Sequence, residues 1–263
     1  MALDFDGVIF DSSKEAFTIS IRTYAGLKPR STLARHPLAQ AADDAPVAFD
    51  FTNDTVYDRF MDIVPLGNRA EDFGVALAII DHGLPVTTQE AYNTVFAASD
   101  GAWRKAFHKR FYYERNRLRA SDLEGWLRLQ IPYRHFTNLL ETHRPHTFSA
   151  IVTARDSASV NALLSAYHLD SLFSPAQIYD KDNGSDKRHH VRKLIHDLGT
   201  HRHHITFIDD KLNHVQAVAS LGIRSILAGW GHNTARERDR ARQLGFPVAE
   251  PETAERLLFG GGA

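Results

Sequence analysis

The sequence predicts an α/β fold: a doubly wound parallel sheet with an inserted α-helical domain. Three observations predict it. The chain opens on an apolar run that ends in acid and glycine, Ala2-Leu3-Asp4-Phe5-Asp6-Gly7. From about residue 148 onward, short apolar runs alternate with helical patterns. Between these two regions, residues 14–130 show helical periodicity with almost no strand signal. Strands that alternate with helices of this length imply parallel strands joined by helical crossovers. The layout is therefore a core of residues 1–13 and 131–263, interrupted by a helical domain over 14–130.

Taken in order, Ala2-Leu3 reads as the end of a strand and Asp6-Gly7 as a turn. Few residues precede Asp4 compared with the roughly 5–6 of a typical strand. Either the strand is short or the natural start lies upstream. Residues 28–53, rich in Pro, Ala, Asp and Thr, read as an irregular excursion. Residues 70–82 place Phe73, Leu77 and Ile80 on one helical face and stop at Gly83. Thr87 with Glu90, and Ser121 with Glu124, match the capping box that opens a helix. Residues 148–152, 177–179, 205–208 and 224–227 read as strands. Helical patterns lie between them at 157–167, 187–198 and 212–221, the last stopped by Gly222. The terminal run 260–263 reads as a loose tail.

Composition narrows the function. Lys plus Arg (31) nearly balance Asp plus Glu (32), so no global charge draws the chain to nucleic acid or an anionic membrane. There is no cysteine, which excludes disulfides, thiolate metal sites and cysteine nucleophiles. No apolar run reaches the roughly 18 residues of a membrane helix, and no signal-peptide pattern opens the chain. A cytoplasmic enzyme is the expectation.

Asp4 and Asp6 stand at i and i+2 just past a strand end, where they can converge on one small volume. One can attack as a nucleophile while the other gives a proton to a leaving oxygen. A solvated Asp-Gly turn is the competing explanation of this motif alone. Asp209-Asp210 follows a second apolar strand, and adjacent acids suit a hard cation such as Mg²⁺. A helix N-cap is the competing explanation there. Thr153 closes the strand 148–152, and with the backbone of Ala154 at a helix start it suits phosphate oxygens. Lys187 can offset the charge of nucleophile and phosphate together. Lys181 and Lys193 compete for this role, and Lys187 is preferred because it opens a helix just after a loop.

These four segments, in this order, resemble the haloacid dehalogenase (HAD) superfamily on its phosphatase branch, with a helical cap. The resemblance is to members of the phosphoglycolate phosphatase and beta-phosphoglucomutase type. It covers residues 1–13 and about 131–263. It implies a Rossmann-like core and an aspartyl-phosphate on Asp4. Asp6 would be acid and then base, and Thr153, Ala154 and Lys187 would hold the phosphoryl oxygens. It further implies Mg²⁺ on the Asp4 carboxylate, the Asp6 backbone carbonyl and Asp210, with Asp209 a further ligand or a supporting group.

The sequence departs from the pattern at one place. Many relatives carry another Asp four residues after the metal Asp, where this chain has His214. Others carry a small residue there and use an acidic pair, the pattern adopted here. An Asp at position 6 argues for C–O–P chemistry, because dehalogenases do without it and phosphonate-cleaving members replace it. The expected activity is hydrolysis of a small phosphorylated metabolite by a monomer or homodimer, without nucleic acid or membrane. A phosphomutase with the same intermediate, or a non-catalytic binding protein on the same fold, are the alternatives.

Two further features invite chemistry. Residues 104–119 are basic with interleaved aromatics, read as a long amphipathic helix with inward aromatics and solvated charges rather than as an anion groove. The fifteen histidines include the clusters His189-His190 and His201, His203 and His204, without a carboxylate at metal-ligand spacing.

Overall fold

The computed structural model describes residues 1–41, 49–67, 69–184 and 186–260. Part of the predicted excursion (42–48), Ser185 and the tail residues 261–263 lie outside the described residues. The strands are β1 (Ala2–Leu3), β2 (Phe10–Asp11), β3 (Ile131–Pro132), β4 (Ala150–Val152), β5 (Ile178–Tyr179), β6 (Thr206–Asp209), β7 (Arg224–Ala228) and β8 (Val248–Ala249). The helices are α1 (Ser13–Leu27), α2 (Pro37–Gln40), α3 (Thr55–Ile63), α4 (Ala70–Asp81), α5 (Gln89–Ala98), α6 (Gly101–Ser121) and α7 (Leu123–Arg128). They continue with α8 (Arg134–His143), α9 (Ser157–Ala166), α10 (Lys187–Leu198), α11 (Leu212–Ala219), α12 (Ala235–Gln243) and α13 (Ala254–Leu258). Contacts divide the chain into two compact units, Met1–Asp11 with Ile131–Ala263, and Ser12–Gln130.

The first unit holds a six-stranded parallel sheet in the order β5-β4-β1-β6-β7-β8. Strand order runs outward from β1 in both directions, so β1 marks the point where ligands gather at the carboxyl ends in such sheets. Register explains the core. Leu3 lies level with Ile151 and Ile208, and all three are fully buried. On alternate positions Ala2, Ala150, Val152 and Phe207 pack with Val191 and Leu194 of α10 and Val218 of α11. A strand covered on both faces reads as a continuous apolar run, which is why these segments were visible in the sequence. β2 and β3 form a separate antiparallel pair, Phe10 opposite Pro132 and Asp11 opposite Ile131, where the chain leaves and re-enters this unit. Two residues per strand carry too little periodicity to predict that pair.

The second unit is helical. α1, α4 and α6 pack together around Phe17, Phe60, Phe73, Phe107 and Phe111. Successive rings meet at 5.3 Å (Phe17–Phe60), 5.8 Å (Phe60–Phe73) and 5.6 Å (Phe73–Phe111) between centroids. Both predicted capping boxes shift. α5 is capped by Thr88, whose hydroxyl accepts from Ala91 N–H, not by Thr87. Ser121 ends α6, and Asp122 caps α7 by accepting from Gly125 N–H. In each case a neighbouring Thr or Asp can serve as cap, and chain direction decides between them. Residues 28–53 contain a short 3₁₀ turn, Thr32–Arg35, and the one-turn α2 rather than a wholly irregular path.

The basic segment lies within α6, with Phe107 and Phe111 buried and Tyr113 exposed. Its charges are not all solvated, because Arg115 is buried. Arg115 Nε and Nη2 donate to the two Glu15 oxygens at 2.6 and 2.8 Å, and Trp126 Nε1 donates to Glu15 Oε1 at 3.0 Å.

Candidate active site

Asp4 follows β1 directly, and its own N–H donates to Ile208 O at 2.9 Å, locking it against β6. Its Oδ1 accepts from Phe5 N–H at 2.7 Å and pairs with Lys187 Nζ at 2.6 Å. The tight turn that follows is closed by Gly7 N–H to Phe10 O (2.7 Å) and Ile9 N–H to Phe5 O (3.0 Å). Gly7 has a φ of +79°, and a Cβ there would run into the Asp210 carboxylate. A Cβ on Gly231 would strike Asp210 Cβ and the Gly7 carbonyl. Two glycines on separate loops thus let the backbone close around Asp210.

Lys187 opens α10 and is buried. Its ammonium meets Asp4 Oδ1 at 2.6 Å, Asp209 Oδ2 at 3.2 Å and Val152 O at 2.9 Å, one acceptor for each of its three donors. The rival lysines differ. Lys181 pairs with Asp182 at 2.6 Å and Lys193 with Asp197 at 2.9 Å, both on the surface. Geometry therefore separates three lysines that spacing alone could not.

Asp209 ends β6 and has no exposure. Its Oδ1 accepts from Lys211 N–H at 2.9 Å, and His214 Nδ1 lies 3.1 Å from both oxygens. With Lys187 on Oδ2, protein groups occupy both its oxygens. Asp210 Oδ2 accepts from His232 N–H at 2.8 Å, and Asn233 Nδ2 donates to the Asp210 carbonyl at 3.1 Å. Thr153 is buried past β4, its N–H donating to Tyr179 O at 2.9 Å and its Oγ1 accepting from Arg155 N–H at 3.1 Å. Ala154 beside it is exposed. α9 begins at Ser157, where the helical pattern starts in the sequence, with Asp156 as its cap, and Thr153 and Ala154 lie in the loop that leads into it. Asp6, at the mouth, has both oxygens held by Arg155, Nη2 to Oδ1 at 2.8 Å and Nε to Oδ2 at 3.1 Å.

The electrostatics follow from burial. Burial raises the pKa of Asp4 well above the ordinary carboxylate range; Lys187 opposes this, while Asp209 and Asp210 add to it. Burial also raises Asp210 against the pull of Lys211 and His232. Burial pushes Asp209 the same way, but Lys187, His214 and the Lys211 amide outweigh it and hold its pKa below the usual range. Burial opposes the charge on Lys187, and Asp209 and Asp4 more than offset it, so its pKa is raised. Packing carboxylates against one another in a low-dielectric pocket leaves an excess of negative charge that a hard divalent cation neutralises. The ligand atoms of Asp4, Asp209 and His214 lie within 4.8 Å of one another, but Lys187 bridges Asp4 to Asp209 and His214 bonds Asp209. The donors that fit a hard cation are the oxygens of Asp4 and Asp210, which stand at the ends of the neighbouring strands β1 and β6.

Sequence reasoning missed Arg155, Asp11 and the loop after β7. Trp230 Nε1 in that loop donates to Val8 O at 3.1 Å, and His232 Nε2 lies 3.1 Å from Asp11 Oδ1. Gly229 and Gly231 flanking an aromatic just past a strand were the available signal. Among the described residues, the side chains grouped closely enough to share an ion include none of the clustered histidines. His201, His203 and His204 sit on the surface with ring centroids 5.8–6.2 Å apart.

His190, one turn after Lys187, is buried, and burial together with the Lys187 charge lowers its pKa to about 4. The unfolded chain takes up this proton near the ordinary 6.5, the folded chain only near 4. Stability from this group is therefore complete above pH 6.5 and declines as pH falls toward 4, by on the order of 2–3 kcal/mol. Urea unfolding at pH 7 and pH 4.5 should show this loss in the native chain. His190→Leu should show a smaller difference between the two pH values; an unchanged difference would assign the acid sensitivity to other groups.

No protein-family model and no curated protein matches this sequence. Solved structures do match. A Lactobacillus delbrueckii subsp. bulgaricus protein described as a phosphoglycolate phosphatase aligns with a TM-score of 0.64 at 15% identity, over 98% of this chain and 97% of its own. A Clostridium acetobutylicum protein described as a phosphatase aligns at 0.62 and 16% identity, over 98% and 96%. A haloacid dehalogenase-like family hydrolase from Streptococcus pneumoniae aligns at 0.58 and 12% identity, over 97% and 96%. Among the described residues no helix is long and apolar enough to cross a membrane. At these identities it is the fold that is shared: the chain has the fold of the haloacid dehalogenase-like hydrolases.

Proposed function

We propose that this protein is a divalent-cation-dependent phosphatase that hydrolyses a small-metabolite phosphate monoester through an aspartyl-phosphate on Asp4. The observation that carries the reading is the set of buried carboxylates around Asp4 with the buried Lys187 ammonium among them, at the switch point of the sheet. Lys187 and the Phe5 amide draw on Asp4 Oδ1, which orients the carboxylate and leaves Oδ2 for in-line attack on phosphorus. Lys187 also meets the charge that gathers on the phosphoryl oxygens, and Thr153 with the Ala154 backbone supplies further donors. Asp6 protonates the leaving oxygen and then takes a proton from the water that cleaves the aspartyl-phosphate.

Asp4, the Asp6 backbone carbonyl and Asp210 would hold Mg²⁺. Asp209, occupied by Lys187, His214 and the Lys211 amide, supports Lys187 instead. Bound there, the cation shields Asp4 from the phosphate and neutralises charge on the transferring group.

The test is phosphate release from a panel of metabolite phosphates with Mg²⁺, repeated after chelation. Turnover that disappears on chelation and returns with added Mg²⁺ is the expected result. Interconversion of a phosphorylated sugar without net phosphate release would replace the phosphatase with a mutase. No reaction across the panel would reject both and favour a binding protein on the same fold.

A further inference from the structure

Arg155 was not among the residues that sequence motifs single out, yet it is the best-anchored side chain at the mouth of the site. It is 2% exposed, whereas the Asp6 side chain it grips is 35% exposed. Its guanidinium forks onto both Asp6 oxygens at 2.8 and 3.1 Å. It also lies over the Phe5 ring, 5.7 Å from the centroid. Its backbone is held at both ends: its N–H donates to Thr153 Oγ1 at 3.1 Å, and its carbonyl accepts from Lys181 N–H at 3.3 Å.

A planar fork accepts a carboxylate in one orientation only, so a buried arginine of this kind fixes the side-chain angle of its partner. A lysine or a water, holding one oxygen at a time, would not set that angle. The same residue also ties that angle to Thr153, the hydroxyl assigned to the phosphoryl oxygens.

We propose that Arg155 is a positioning residue that sets the direction of Asp6 and registers it against the phosphate-holding Thr153. The inference rests on the phosphatase reading above and assigns it a residue which that reading does not require. Arg155 touches neither phosphorus nor the leaving group; it acts through Asp6.

Its effect therefore depends on how much the leaving group needs a proton. An alkoxide leaves only with help, whereas p-nitrophenolate leaves without it. The fork is that of the carboxylate; when one Asp6 oxygen takes up the proton that goes to the leaving group, Arg155 keeps hold of the other. Losing this aim should cost on the order of 10²-fold with an alkyl ester and far less with p-nitrophenyl phosphate. General loss of structure would lower both alike.

The experiment is a double-mutant cycle over Asp6→Asn and Arg155→Met, with Arg155→Lys as a third variant. Steady-state rates are taken with p-nitrophenyl phosphate and with the best alkyl substrate, and folding is checked by circular dichroism and melting. The expected result in Arg155→Met is a fall in kcat/KM confined to the alkyl ester, because kcat/KM reports the steps through departure of the leaving group, whereas the later role of Asp6 as base toward water is common to both esters. Adding Arg155→Met to Asp6→Asn should cost no more, since groups acting as one unit are non-additive. Arg155→Lys should recover only part of the rate, because one ammonium cannot replace the fork.

Equal losses of kcat/KM with both esters, or full additivity in the double variant, would overturn the role of Arg155 while leaving the phosphatase reading intact. A faster alkyl reaction in Arg155→Met would also overturn it, making Arg155 a restraint on Asp6. Absence of turnover in the native chain with either ester would remove the phosphatase reading and this inference with it.

Discussion

Asp4→Asn should lower phosphate release by on the order of 10⁴-fold or more, because no neighbouring group can take over the attack on phosphorus. The carboxamide is nearly the same size, so the packing around it is kept. The substitution also removes a carboxylate whose charge burial disfavours and Asp209 and Asp210 repel. Folding should therefore survive, and the melting temperature without cation should stay close to that of the native chain. Lys187 keeps Asp209 and Val152 O as partners, which limits the cost of losing the Asp4 charge. Activity and stability then separate in one variant. Phosphate release within tenfold of the native rate would show that another residue is the nucleophile.

The second large effect is structural and lies in the helical unit. Glu15→Ala should destabilise that unit by about 3–5 kcal/mol, the cost of leaving a buried charge without its partner. Glu15 is fully buried, and three N–H donors from Arg115 and Trp126 converge on its two oxygens. Removing it takes both carboxylate acceptors from the buried Arg115 guanidinium, which lies 4.7 and 5.6 Å from the Phe111 and Tyr112 rings. Glu15→Gln keeps the volume and one acceptor, and should cost less. Urea unfolding followed by tryptophan fluorescence reads both, since Trp126 is part of the network. A loss below 1 kcal/mol in Glu15→Ala would mean that water reaches Arg115 easily.

These two sites show what could be read in the sequence. Asp4, Thr153, Lys187 and Asp209-Asp210 were legible because each stands beside an apolar run or a helix start, and such runs are continuous when a parallel strand is covered on both faces. Glu15 was not. Nothing in a helix pattern says that its partner lies a hundred residues on, and Arg115 reads as one more solvated charge on a basic helix. Arg155 was hidden for a related reason: its fork is aimed by the loop after β4, and a lone arginine past a strand end has many possible partners. His214 was noticed as a departure, but only the fold shows that it turns its ring toward Asp209. Spacing locates residues along a strand or helix; which side chains meet across the fold is decided by packing that sequence periodicity does not encode.

The position of β1 also governs when this molecule can assemble. Its residues lie level with Ala150 and Ile151 on one side and with Phe207 and Ile208 on the other. During synthesis the first strand therefore waits for most of the chain before either neighbour exists. The helical unit, continuous from Ser12 to Gln130, has all its partners long before then. Local contacts form early and distant strand pairing late. Asp4, the proposed nucleophile, is thus made well before the strands that surround it, and no partial chain ending before β6 can contain the whole of the candidate site.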